Sequence, residues 1–150
     1  MSKHHNIKKE RKIDSLSSQS ELIDKSKEHI SFSFEYFLYG ENYGQSFKEW
    51  ENEKILSDLN EKLKSFSSKT YNELIQDKAL EIFNFFPIDS KFDKPIFLKG
   101  NTSIRWARLK ITGLRRLIGF FFNDEVCKNI FYIVFLDKNH EFAPSYKKHT

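Results

Sequence analysis

Three runs of β-branched, aromatic and aliphatic residues, 104–111, 114–122 and 130–137, lie in the last third of this chain. Only Thr112-Gly113 separates the first two, short enough for a tight hairpin, and Asn123–Asn129 makes a longer connection before the third. Their apolar cores, Leu117–Phe122 and Ile130–Leu136, are six and seven residues long. Roughly 20 would be needed to cross a bilayer. They are therefore expected to be strands of one antiparallel sheet, in a protein that does not enter a membrane.

Upstream, Ile30, Phe32, Phe34, Tyr36 and Leu38 alternate with Ser31, Ser33 and Glu35 before Gly40 and Gly44, the period of a half-buried strand. Ser46 and Glu49 have capping-box spacing and predict a helix over about 47–65, with Trp50, Ile55, Leu56, Leu59 and Leu63 inward. Thr70 and Glu73 repeat that spacing. Tyr71, Leu74, Ile75, Ala79, Ile82, Phe83 and Phe86 then recur at three- and four-residue steps, predicting a second helix over 70–86 that Pro87 ends. The expected fold is α+β, in the order β-α-α-β-β-β. A small antiparallel sheet carries two helices on one face and a basic surface on the other, and Phe83, Phe86, Leu117 and Ile133 are buried.

Residues 1–29 have only Ile7, Ile13, Leu16 and Ile23 as aliphatic residues after Met1, and are read as a basic, flexible tail dispensable for folding. Residues 30–150 form a single domain, for which Phe at 16 of 150 positions supplies ample core material. Net charge is +4, but residues 30–93 carry 7 basic and 12 acidic groups while 94–150 carry 11 and 4. Four of the five arginines, Arg105, Arg108, Arg115 and Arg116, fall within twelve residues of a chain that otherwise uses Lys. That concentration points to a use for the fixed guanidinium fork. The lone Cys127 forms no internal disulfide, and no hydrophobic segment follows the basic N-terminus, so a cytoplasmic location is expected. No metal and no cofactor is expected: His4 and His5 lack a second ligand pair, and there is no Gly-rich phosphate loop or nucleophile elbow.

The segments Lys94-Pro-Ile-Phe-Leu-Lys99, Trp106-Ala-Arg-Leu-Lys-Ile-Thr112, Arg115-Arg-Leu-Ile118 and Asp137-Lys-Asn-His140 resemble the RelE/ParE toxin superfamily, above all its YoeB-like members. The resemblance covers about 94–142 by motif and 30–93 by element order. It implies the toxin of a bacterial toxin–antitoxin pair, an endoribonuclease (mRNA interferase) whose partners are RNA, free or on the ribosome, and an antitoxin protein. The implied hydrolase chemistry needs no metal: the ribose 2′-OH attacks the adjacent phosphate while guanidinium groups take up the growing charge. On this resemblance Arg116 is the principal catalytic arginine, and Arg108 or Lys110 is the basic residue of the preceding strand. His140 exchanges a proton near neutral pH. Arg105, Lys110, Arg115, Trp106, Tyr146, Lys147 and Lys148 would contact RNA, since Trp106, Arg108 and Lys110 share a strand face and combine stacking with charge.

Two positions depart from the pattern: Ile96 stands where an acidic residue follows the Pro, and Glu141 where a Tyr follows the His. They favour an alternative reading, a noncatalytic binding module of the same fold that contacts protein or nucleic acid, including a ParE-like gyrase poison. Each signal also has a plain structural counterpart: solvated charge for the arginines, a core position for Trp106 and an ordinary turn for His140.

Overall fold

The computed structural model describes residues 29–98, 103–124 and 129–144. Its elements are β1 (Ser31–Ser33), α1 (Phe47–Asn52), α2 (Leu56–Phe66), α3 (Tyr71–Gln76), β2 (Leu80–Phe83), a 3-10 turn (Ile96–Leu98), β3 (Ile104–Lys110), β4 (Arg116–Phe122) and β5 (Ile130–Asp137). The class is α+β, and β3, β4 and β5 pair antiparallel as expected. The sheet itself is larger and mixed. Five strands run in the order β1-β5-β4-β3-β2, with β1 parallel to β5.

The two expected helices are three shorter ones, because two turns end earlier than the apolar periodicity suggests. Both capping boxes form, Ser46 with Glu49 and Thr70 with Glu73. At the other end of α1, Lys54 adopts φ 62, its N–H donates to Glu51 C=O, and the Ile55 N–H donates to Trp50 C=O. At the end of α3, Lys78 adopts φ 59, its N–H donates to Ile75 C=O, and the Ala79 N–H donates to Leu74 C=O. This is the Schellman closure with Lys in the place that Gly usually takes, so the sequence carries no stop signal. The chain released at Ala79 becomes β2 and pairs with β3, Leu80 opposite Leu109 through Phe83 opposite Trp106. The 70–86 helix expected from the sequence is thus corrected to a short helix followed by an edge strand. Replacing Lys78 by Gly should remove the left-handed strain and raise stability by about 1 kcal/mol, read as a higher thermal midpoint. An unchanged or lower midpoint would contradict that account.

The alternating segment from Ile30 also stops early. Only Ser31–Ser33 pair, and at Phe34 the chain turns, with the Phe37 N–H donating to Phe34 C=O. Phe32 and Phe37 then pack toward the helices, and Tyr36 and Leu38 toward the other face.

One face of the sheet packs Ala107, Leu109, Leu117, Phe121, Phe131 and Ile133 against Trp50, Leu59, Phe66 and Leu74 of the helices. The other face, expected to be open and basic, is covered. Phe92 and Leu98 from the segment after β2, and Phe142 and Ala143 from the segment after β5, bury Trp106, Ile118, Phe120 and Val134. β4 and β5 are apolar on both faces because both faces are core. Of the side chains expected inside, Phe83, Leu117 and Ile133 are buried and Phe86 is half-buried. The tail, apart from His29, lies outside the described residues.

Candidate functional site

β3 divides the arginines between the two faces by the alternation of a strand. Arg105 points toward the helices, where its Nη1 donates to the Tyr71 hydroxyl (3.1 Å) and its guanidinium lies 5.4 Å from the Tyr71 ring centre. Arg115, in the β3–β4 turn, also faces the helices: its Nη1 donates to Thr112 Oγ1 (2.8 Å) and lies 3.7 Å from Asp58. Trp106, Arg108 and Lys110 take the opposite face, and so does Arg116 on β4. The structure therefore brings Arg108, Arg116 and Trp106 to one face and places Arg105 and Arg115 on the other. Tyr146, Lys147 and Lys148 lie outside the described residues, as do His4 and His5.

Arg108 is 1% exposed. Its Nη2 donates to Glu81 Oε2 on β2 (3.0 Å), and the guanidinium lies 5.3 Å from the Phe83 ring centre. Arg116, 6% exposed, uses Nη1 to close the β3–β4 turn, donating to Gly113 C=O (2.7 Å) and Arg115 C=O (3.0 Å). Burial, and then the nearby charge of Arg108, pull the Arg116 guanidinium below its usual pKa, while Glu81 and Asp137 act in the opposite direction.

A bulge brings Asp137 to this cluster. Ile118 pairs with Phe135 but Gly119 pairs with Ile133, so Val134 is an extra residue in β5. The shift places Asp137 directly opposite Arg116. Without it, Leu136 would stand there. The Asp137 carboxylate accepts the Glu141 N–H and the Phe142 N–H, both at 2.9 Å. Burial raises its pKa against the opposing pull of those N–H groups. His140, at φ 60 and 1% exposed, sits inside the turn that Asp137 ties down. Glu81 and Asp137 are the members of this cluster that the sequence reading missed. Glu81 falls within the helix that periodicity predicts over 70–86, and no single-strand pattern reveals a bulge.

The cluster thus holds two guanidiniums and the Asp137 carboxyl inside the protein, with the Glu81 carboxyl, about a third exposed, at its edge. Trp106 is equally interior, in edge contact with Phe86 (5.0 Å) and parallel to Phe135 (6.3 Å). Farther along the same face an open cleft of about 690 Å³ is lined by Phe85, Phe86, Ile88 and Trp106, with Asp93 and Lys94 as its charged residues. Phe85, Ile88 and Ile96 are strongly exposed and Phe97 about half. Among the described residues no group of three or more His, Cys, Asp or Glu could hold a metal ion, and no helix is long and apolar enough to cross a membrane. Comparison with protein-family models, with curated proteins and with solved structures finds no match for this chain.

Proposed function

We propose that the chain is a noncatalytic binding module that contacts protein through the apolar surface of residues 84–97. The observation that carries this reading is the burial of Trp106, Arg108, Arg116 and His140, between 1% and 6% exposed. A scissile phosphate would have to displace the structure packed around them to reach either guanidinium. Charge supports the same reading. The described residues carry 14 basic and 15 acidic side chains, so the basic surplus that would form an electrostatic footprint for RNA is not on them. Phe85 and Ile88 of the cleft, and Ile96 and Phe97 farther along the same segment, instead expose large apolar side chains of the kind found at protein contacts.

One observation favours the endoribonuclease reading, with an antitoxin as partner: Arg108 and Arg116 face the same side from adjacent strands, their charges close enough to couple. Purified protein incubated with RNA and with programmed ribosomes, and expressed in bacteria, separates the two. We expect no cleavage and no growth arrest, and expect Arg116→Ala to lower the melting temperature because the β3–β4 turn loses its clamp. Cleavage that Arg116→Ala slows about 10²–10³-fold at unchanged melting would overturn the binding-module reading.

A further inference from the structure

The cleft of about 690 Å³ beside Trp106 leaves large apolar side chains in water, with Phe85 81% exposed and Ile88 fully so. Covering such surface is favourable in proportion to the area removed from water. The segment after β5 is fastened to the rim of this same cleft. The Lys91 N–H, between Ser90 and Phe92 of the cleft lining, donates to Glu141 C=O (2.9 Å). The Phe142 ring then lies 5.2 Å from the Phe86 ring and 5.9 Å from Trp106, two walls of the cleft. From there the described chain runs on only to Pro144.

The sequence continues Ser145-Tyr146-Lys147-Lys148. Tyr146 is four residues past Phe142, at most about 14 Å along extended backbone, so its ring is within reach of the cleft walls. Tyrosine suits that lining, with an apolar ring for Phe86 and Trp106 and a hydroxyl for the polar side chains of Asn84, Ser90 and Asp93. Lys147 and Lys148 bring charge opposite to Asp93, a small contribution at an exposed carboxylate. The tether decides the occupant. A connection this short holds Tyr146 at an effective concentration in the millimolar range, so a contact with a dissociation constant of about 1 mM is made about half the time. A separate protein or a second copy has no such advantage and must outbid the tethered segment by affinity.

We infer that residues 145–148 fold back within the same chain and seat the Tyr146 ring in the cleft against Phe86 and Trp106, so that a protein partner binds there by displacing them. This rests on the reading of residues 84–97 as a protein-contact surface and adds the regulation of that surface. The segment lowers the apparent affinity of any partner by the factor by which it occupies the cleft.

Nuclear magnetic resonance of the full chain from about 50 to 500 μM, below the effective concentration of the tether, tests this. Nuclear Overhauser contacts from the Tyr146 ring to the Phe86 or Ile88 side chains are expected at every concentration. Tyr146→Ala should shift the amide signals of residues 84–94 and leave the melting temperature nearly unchanged, while Tyr146→Phe keeps the contacts. A synthetic peptide of residues 144–150 should then bind Tyr146→Ala about threefold or more tightly than wild type, because the tethered segment no longer competes. No contact between Tyr146 and the cleft, or equal peptide affinity in the two proteins, overturns the inference. Contacts that fade on dilution place the segment in a second copy and overturn it too. A cleft that takes up another protein while Tyr146 never enters it also overturns it, and leaves the binding-module reading standing. RNA cleavage would defeat that reading whatever Tyr146 touches.

Discussion

Gly119→Ala should destabilise the protein by about 3 kcal/mol or more and lower its thermal midpoint by roughly 10 °C, the scale of severe overpacking in a chain of this size. Gly119 lies in the middle of β4, at the bulge against β5, on the face that meets the helices. A methyl group there would run into the backbone carbonyl of Tyr132 and would come within 2.7 and 2.8 Å of the Phe131 ring. The carbonyl belongs to the paired strand and cannot rotate away without breaking the ladder. The ring is fully buried. Gly113 provides the contrast. It sits in the β3–β4 turn at φ 53 with nothing within 4 Å of the position a methyl would take, so Gly113→Ala should cost only the backbone strain, about 1 kcal/mol. Equal losses in the two variants would show that the close approach at the bulge does not limit this core.

The same bulge marks where sequence reasoning stops. The last three strands were legible because their apolar runs are continuous and the Thr112-Gly113 turn is short. The starts of α1 and α3 were legible because a capping box writes two side chains into the sequence. Their ends were not, since Lys54 and Lys78 do what Gly usually does. Ile82 and Phe83 continue the three- and four-residue steps from Ala79 and also belong to a short apolar strand, so β2 stays hidden in a helical pattern, and Glu81 with it.

For the candidate site, alternation alone groups Trp106, Arg108 and Lys110, and it also separates Arg105 from them. What alternation cannot say is whether a face is open. Phe92, Leu98, Phe142 and Ala143 come from segments without regular periodicity, and their packing turns a predicted basic surface into a core. Arginine in that setting becomes a buried cation that must be paired, which Glu81 does for Arg108.

Asp137→Ala should be the most damaging polar substitution, costing about 3–5 kcal/mol in urea unfolding. The carboxylate is fully buried and holds the N–H groups of Glu141 and Phe142, and each buried donor left without an acceptor costs roughly 1–3 kcal/mol. It also secures Phe142, whose ring lies 5.4 Å from Phe83 and 5.2 Å from Phe86, so losing the anchor should expose the segment after β5 to protease. Asp137→Asn, with one acceptor in place of two, should fall between Ala and wild type.

The pH dependence of that difference follows from burial. The folded protein raises the Asp137 pKa above its ordinary 3.8, so between the two values the native state binds more protons than the unfolded chain. This carboxyl's contribution to stability is therefore complete at acid pH, below the unfolded value, and is lost as pH rises through the folded one. The advantage of wild type over Asp137→Asn should shrink over that interval. An advantage that grows with pH would mean that Arg116, directly opposite on β4, outweighs desolvation and holds the carboxylate ionised. The cluster would then be a true buried ion pair.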